Sequence, residues 1–168
     1  MNNLEQWLKL YRSENPIIRI RAGEGLLSMG SEIPLPVLLS ILDTLSYEGL
    51  GAATESVLKR RRDKELVREM ISRLRSSHDF VREVACEVLG AQGDRMATSH
   101  LLDMLNDPRL MVRRAAAFAL GSLGDPASES ELKKQYSLQK SDPNMELAIR
   151  SALSQLGVAG EGSPRDAS

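Results

Sequence analysis

The sequence predicts an all-α protein, a short right-handed α-solenoid of about four and a half helical hairpins preceded by one extra N-terminal helix. Three observations predict it. First, Val112–Asp125, VRRAAAFALGSLGD, is written 31 residues earlier in altered form as Val81–Asp94, VREVACEVLGAQGD. Leu120 of that stretch has counterparts at Leu26, Leu58, Leu89 and Leu153, so the steps along the chain are 32, 31, 31 and 33 residues. A period of this size marks an array of like units, none of which buries its apolar face alone. Second, Val112, Ala115, Ala116, Ala119, Leu120 and Leu123 fall on one stripe of a helix, and no alternating strand pattern competes. Third, Asn-Pro or Asp-Pro pairs and Gly-Asp pairs punctuate the stripes as starts and stops.

The elements follow in order. Leu4, Trp7, Leu8 and Tyr11 predict a capping helix over residues 3–13. The first copy covers about 15–45. Asn15 caps its first helix with Pro16 at the first helical position, and Leu35, Leu38, Leu39 and Leu42 form the return helix. The second copy, about 46–75, centres on Leu58 and returns through Leu66, Val67, Met70, Ile71 and Leu74. The third, about 76–106, returns through Ala97, Leu101, Leu102 and Leu105. The fourth, about 107–139, opens on Asp107-Pro108 and returns through Leu132 and Tyr136. A half copy at 142–157 opens on Asp142-Pro143. Gly93-Asp94 and Gly124-Asp125 end one helix at glycine and cap the next with aspartate. Gly90 and Gly121 recur with the same period and are read as helix ends too. Residues 1–157 read as one domain, and 158–168 as a disordered tail.

Composition bounds the function. Hydrophobic content of 42% and charged content of 27% suit a globular chain, while 4% aromatics is low for a sandwich or barrel. A formal net charge of −1 argues against a protein that coats itself in nucleic acid. One cysteine excludes an internal disulfide and fits a reducing compartment. The N-terminal MNNLEQWLKLYRSENP lacks the apolar run of a signal peptide, and no window approaches the ~20 apolar residues that span a bilayer. The expectation is a soluble cytoplasmic protein, away from membranes.

The pattern Asp107-Pro108…Val112-Arg113…Ala116…Leu120-Gly121…Leu123-Gly124-Asp125-Pro126 resembles the HEAT-like repeat of the phycobilisome-lyase type. The resemblance covers residues 15–157 and is strongest in the third and fourth copies. It implies stacked helical hairpins, and a family that includes bilin lyases, a metal-dependent deoxyhypusine hydroxylase built on His-Glu pairs, and binding scaffolds. The hydroxylase pattern fails, because His78 precedes Asp79 and His100 precedes Leu101. Two histidines in different helices make a poor ligand set, so no metal is expected. Cys86 aligns with Gly23, Glu55, Ala117 and Arg150 at the edge of the stripe, with no adjacent base, and reads as a small packed or half-exposed thiol. No phosphate-cradling glycine spacing occurs. Neither catalytic residue nor cofactor is expected, and the chain does not read as an enzyme.

Binding residues remain. Arg19, Arg82 and Arg113 hold one place in their repeats and read as a ladder to carboxylates or helix C-terminal carbonyls of adjoining repeats. In the second copy Leu58 is followed by Lys59-Arg60-Arg61-Arg62 instead of Gly-x-Leu-Gly. Residues 59–75 hold eight basic and three acidic groups, +5 in a protein of total −1. That surplus reads either as a solvated helix end or as an anionic contact, first with an acidic protein surface and second with phosphate. Along the return helices, which line the concave side in such solenoids, Val37, Ile41, Arg68, His100 and Met104 fall at outward positions. Val37, Ile41 and Met104 suit a small apolar contact patch, the other reading being that Val37 and Ile41 pack on the N-terminal helix. The expected function is a non-catalytic scaffold that binds a protein partner on this concave face. Lys59, Arg60, Arg61 and Arg62 would be its basic anchor, and Arg61→Glu is expected to leave folding intact. The alternatives are a nucleic-acid-binding repeat protein and a bilin-lyase-like subunit. Either a monomer or a weak homodimer fits.

Overall fold

Each predicted apolar stripe becomes a helix in the computed structural model, which describes residues 3–45, 49–138 and 142–158. The chain is all-helical among the described residues, and it divides into two compact units at Leu66/Val67. The disordered tail expected at 158–168 lies, from residue 159 onward, outside the described residues.

The first unit contains α1 (Asn3–Tyr11), α2 (Pro16–Leu27), α3 (Leu35–Leu45) and α4 (Gly51–Arg60). Asn15 caps α2 by accepting from the Ile17 amide at 2.9 Å, with Pro16 in the first helical position. α1 lies on α2, and α2, α3 and α4 pack around a core of Ala22, Leu26, Leu38, Ile41, Leu42 and Leu58, all fully buried.

The second unit contains α5 (Leu66–Arg73), which begins at the boundary, then α6 (Asp79–Gln92), α7 (Thr98–Met104), α8 (Leu110–Leu123), α9 (Glu129–Leu138) and α10 (Pro143–Gln155). Here α6, α8 and α10 lie side by side as one layer, with α7 packed on α8 and α9 on α10. Close approach within that layer requires glycine. A Cβ on Gly90 would sit 2.8 Å from the Ala119 Cα, and one on Gly121 would sit 2.7 Å from the Ala152 Cα. Gly90 and Gly121 are therefore interior helix residues and not helix ends, correcting the reading from their period. The ends are Gly93 and Gly124, left-handed at φ 72° and 59°, where a side chain is strained. Asp94 and Asp125 follow them, accepting from the Met96 and Ala127 amides to cap the next turn.

One start signal is also corrected. Asp142 caps α10 through the Asn144 and Met145 amides, but Arg109, not Asp107, stands at the cap of α8. Asp107 closes the preceding turn by accepting from the Arg109 amide at 2.8 Å, while Arg82 grips its carboxylate at 2.7 and 3.1 Å. The repeated arginines do form latches, mostly to the turn leading into their own helix. Arg19 donates to the Ser13 and Glu14 carbonyls, Arg82 to Ser76, and Arg113 to Asp107 and Pro108.

Candidate partner-binding site

The C-terminus of α4 is built differently from those of α6 and α8. A helix end leaves carbonyls without partners, and a left-handed glycine normally turns the chain back to satisfy them. No glycine stands here, and Arg61 continues in extended conformation at φ −72°, ψ 157°. The Arg61 amide takes the Leu58 carbonyl instead, and guanidinium groups add to it. Arg60 donates Nε–H to the Ser56 carbonyl at 3.1 Å, and Arg62 donates from Nη1 to the Lys59 and Arg61 carbonyls at 2.9 and 2.7 Å. Cations here also oppose the negative end of the helix dipole.

The four consecutive basic residues then separate by role. Lys59 forms an ion pair one turn back with Glu55. Arg61 turns inward. Its side chain is 10% exposed, forks onto both oxygens of Asp63, and donates to the Ile33 carbonyl at 2.6 Å, ahead of α3. The hydrogen bond from Arg61 holds the Asp63 carboxyl below the usual carboxylate range. Arg61 is a structural tie within the first unit, so it leaves the proposed anchor. Arg60, Arg62 and Lys64 are exposed, with Glu65 beside them. Each guanidinium has five N–H donors, so capping carbonyls leaves Arg60 and Arg62 further donors for an anion.

The other expected contacts fare unequally. Ile41 is fully buried in the first unit, which removes it from any outward face, and Val37 beside it is half-buried. The hydroxyl of Ser40, just before Ile41 on α3, meets the Tyr11 hydroxyl of α1. In the second unit Arg68 on α5 is exposed, and His100 and Met104 on α7 are half-buried. Cys86 is fully buried, more so than expected. Burial, then the charges of Asp107, Glu87 and Glu83, push its thiol far up, which disfavours the thiolate. Among the described residues no group of three or more His, Cys, Asp or Glu converges, and no helix is long and apolar enough to cross a membrane.

Asp63 was missed from sequence, although a signal was there. Asp63, Asp94 and Asp125 stand 31 residues apart, so the aspartate of the inter-helix turn persists where the glycine does not.

Two stretches of the chain, residues 51–120 and 98–168, match the family model for HEAT repeats. The chain belongs to the HEAT-repeat family. HEAT repeats generally mediate protein–protein interaction, and the family is typically non-catalytic. A search of the curated proteins found no match.

Proposed function

We propose that this HEAT-repeat protein is a non-catalytic scaffold of the cytoplasm, docking a protein partner through an acidic segment that meets Arg60, Arg62 and Lys64. The observation that carries the reading is the division of labour at the end of α4. Arg61 and Lys59 have carboxylate partners within the chain, whereas Arg60 and Arg62 touch backbone carbonyls and present their remaining donors outward. In the second unit, taken by itself, Arg68, His100 and Met104 on the return helices are candidate contacts of their own. Within the family we place the chain nearest the phycobilisome-lyase-type repeats, on the Val-Arg…Leu-Gly…Gly-Asp pattern. Lyase chemistry is not part of the proposal, since Cys86 is buried.

The test is capture from native lysate with and without nuclease, comparing wild type with an Arg60→Glu/Arg62→Glu double variant. A protein retained after nuclease and lost with the variant supports the scaffold. Recovery that vanishes with nuclease assigns the cluster to phosphate instead. Equal recovery in all arms removes the cluster from the interface.

A further inference from the structure

α1 is nine residues long, and none of its side chains is fully buried. A helix this short does not hold itself together in water, so its order derives from the surface beneath it. That surface has two features, and both fit α1 one turn apart. The indole of Trp7 lies over Gly25 of α2, so closely that a Cβ there would come within 2.4 Å of the ring. Four residues on, the Tyr11 hydroxyl lies 3.3 Å from Ser40 Oγ and 3.0 Å from Thr44 Oγ1 on α3. Thr44 commits its own proton to the Ser40 carbonyl at 2.6 Å, so the phenol donates to Thr44 and is left free to accept from Ser40. Residues four apart share a helix face, so one face of α1 carries both contacts.

Gly25 serves no turn, and it is not forced by a left-handed backbone. Within a helix a glycine weakens the element relative to alanine, so its contribution is the notch that admits a flat aromatic ring. Seven residues earlier on the same flank Ile18 is 37% exposed, and its neighbour Ile17 is 63% exposed. α2 therefore stays apolar outside its core stripe.

We infer that the Gly25 notch and the Ser40/Thr44 hydroxyl pair form a helix-binding groove, which α1 occupies within the chain until a partner displaces it. The partner it fits is an amphipathic protein helix carrying an indole and, four residues later, a phenol. α1 packs on α2 without fully burying any residue, and a segment of that kind opens at the low end of a protein's local stability, which makes α1 the element that yields. A closed α1 lowers the apparent affinity of an external helix by the fraction of time the groove is open. The groove shares no residue with Arg60, Arg62 and Lys64, so either proposal can fail alone.

The experiment uses the full chain and a fluorescein-labelled peptide of residues 3–13, read by anisotropy. Trp7→Ala frees the notch and is expected to bind the peptide about ten-fold or more tighter than wild type. Adding Gly25→Leu in that background is expected to abolish binding with an unchanged circular dichroism spectrum. A folded Trp7→Ala chain that binds no peptide, or equal affinity for all three proteins, overturns the inference. Wild type that elutes as a dimer, and becomes a monomer with Trp7→Ala, assigns the groove to a second copy and overturns the partner-helix reading. Hydrogen exchange on wild type needs no variant. Amides of 3–11 are expected to exchange well before those of α2, and simultaneous exchange of both helices would make α1 an integral part of the core and sink the proposal.

Discussion

Arg61 and Arg62 are adjacent in the chain and alike in chemistry, yet their substitutions separate cleanly. Arg61→Glu breaks a fork onto Asp63 and a hydrogen bond to the Ile33 carbonyl, and sets two carboxylates against each other. Charged hydrogen bonds of this kind contribute ~2–3 kcal/mol, and chemical denaturation should show a loss of that order. Arg62→Glu, exposed but bonded to two carbonyls at the negative end of α4, should cost about 1 kcal/mol or less, well below Arg61→Glu. Asp107 supplies a pH signature. Burial pushes its carboxyl up, but hydrogen bonds from Arg82 and the Arg109 amide, with the charges of Arg82 and Arg113, outweigh burial and hold it below the usual range. A depressed folded value means that the stabilisation is complete above the unfolded carboxylate's ~3.9 and fades as pH falls through the folded value. Asp107→Asn should therefore be less stable than wild type at pH 7, with the gap narrowing as acid is added in a pH series of thermal melts. Little of this was legible in letters. A run of four basic residues reads as one patch, and Arg61 is singled out by its fork onto Asp63 together with the carbonyl of Ile33, supplied from 28 residues away.

At the scale of the element, the sequence was most readable where a local interaction decides the outcome. Asn15 and Asp142 cap their own helices, and Gly93 and Gly124 end theirs, because each acts within a few residues of itself. Asp107-Pro108 carries the same letters, but Arg82 from α6 claims the carboxylate and the helix starts at Leu110. Gly90 and Gly121 were misread for a related reason. Their period matches that of the true ends, and what they do depends on the next helix of the layer, not on their own. Gly121→Ala should cost about 1–3 kcal/mol, the usual penalty for overpacking, because its Cβ would meet the Ala152 backbone. Gly30 has room for a Cβ but a left-handed backbone at φ 59°, so its alanine variant would be strained for a different reason and is no control. Chemical denaturation of Gly121→Ala against wild type measures the packing penalty. A Gly121→Ala protein as stable as wild type would mean that α8 and α10 slide apart at no cost.

At the scale of the molecule, the 31-to-33-residue period in the leucines was enough for the family, since the fully buried Leu26, Leu58, Leu89 and Leu120 are its core register. The partner was not legible, because the recurring residues pack and turn, whereas the candidate contact lies where the second copy departs from them. That departure makes a quantitative prediction about binding. If Arg60, Arg62 and Lys64 neutralised three phosphates, log K would fall with log salt at a slope of about −2.7. An acidic protein segment held partly by apolar contact should give a shallower slope, measured by titration across a salt series.

Trp7 has one more consequence. It is the sole tryptophan of the sequence, and it lies against Gly25. Excited at the indole band, the unlabelled protein therefore emits from α1. Lifting α1 into water should redden and quench that emission while every other helix stays in place. Melting confined to the second unit should leave the colour unchanged. The chain thus carries an intrinsic optical probe of its first helix.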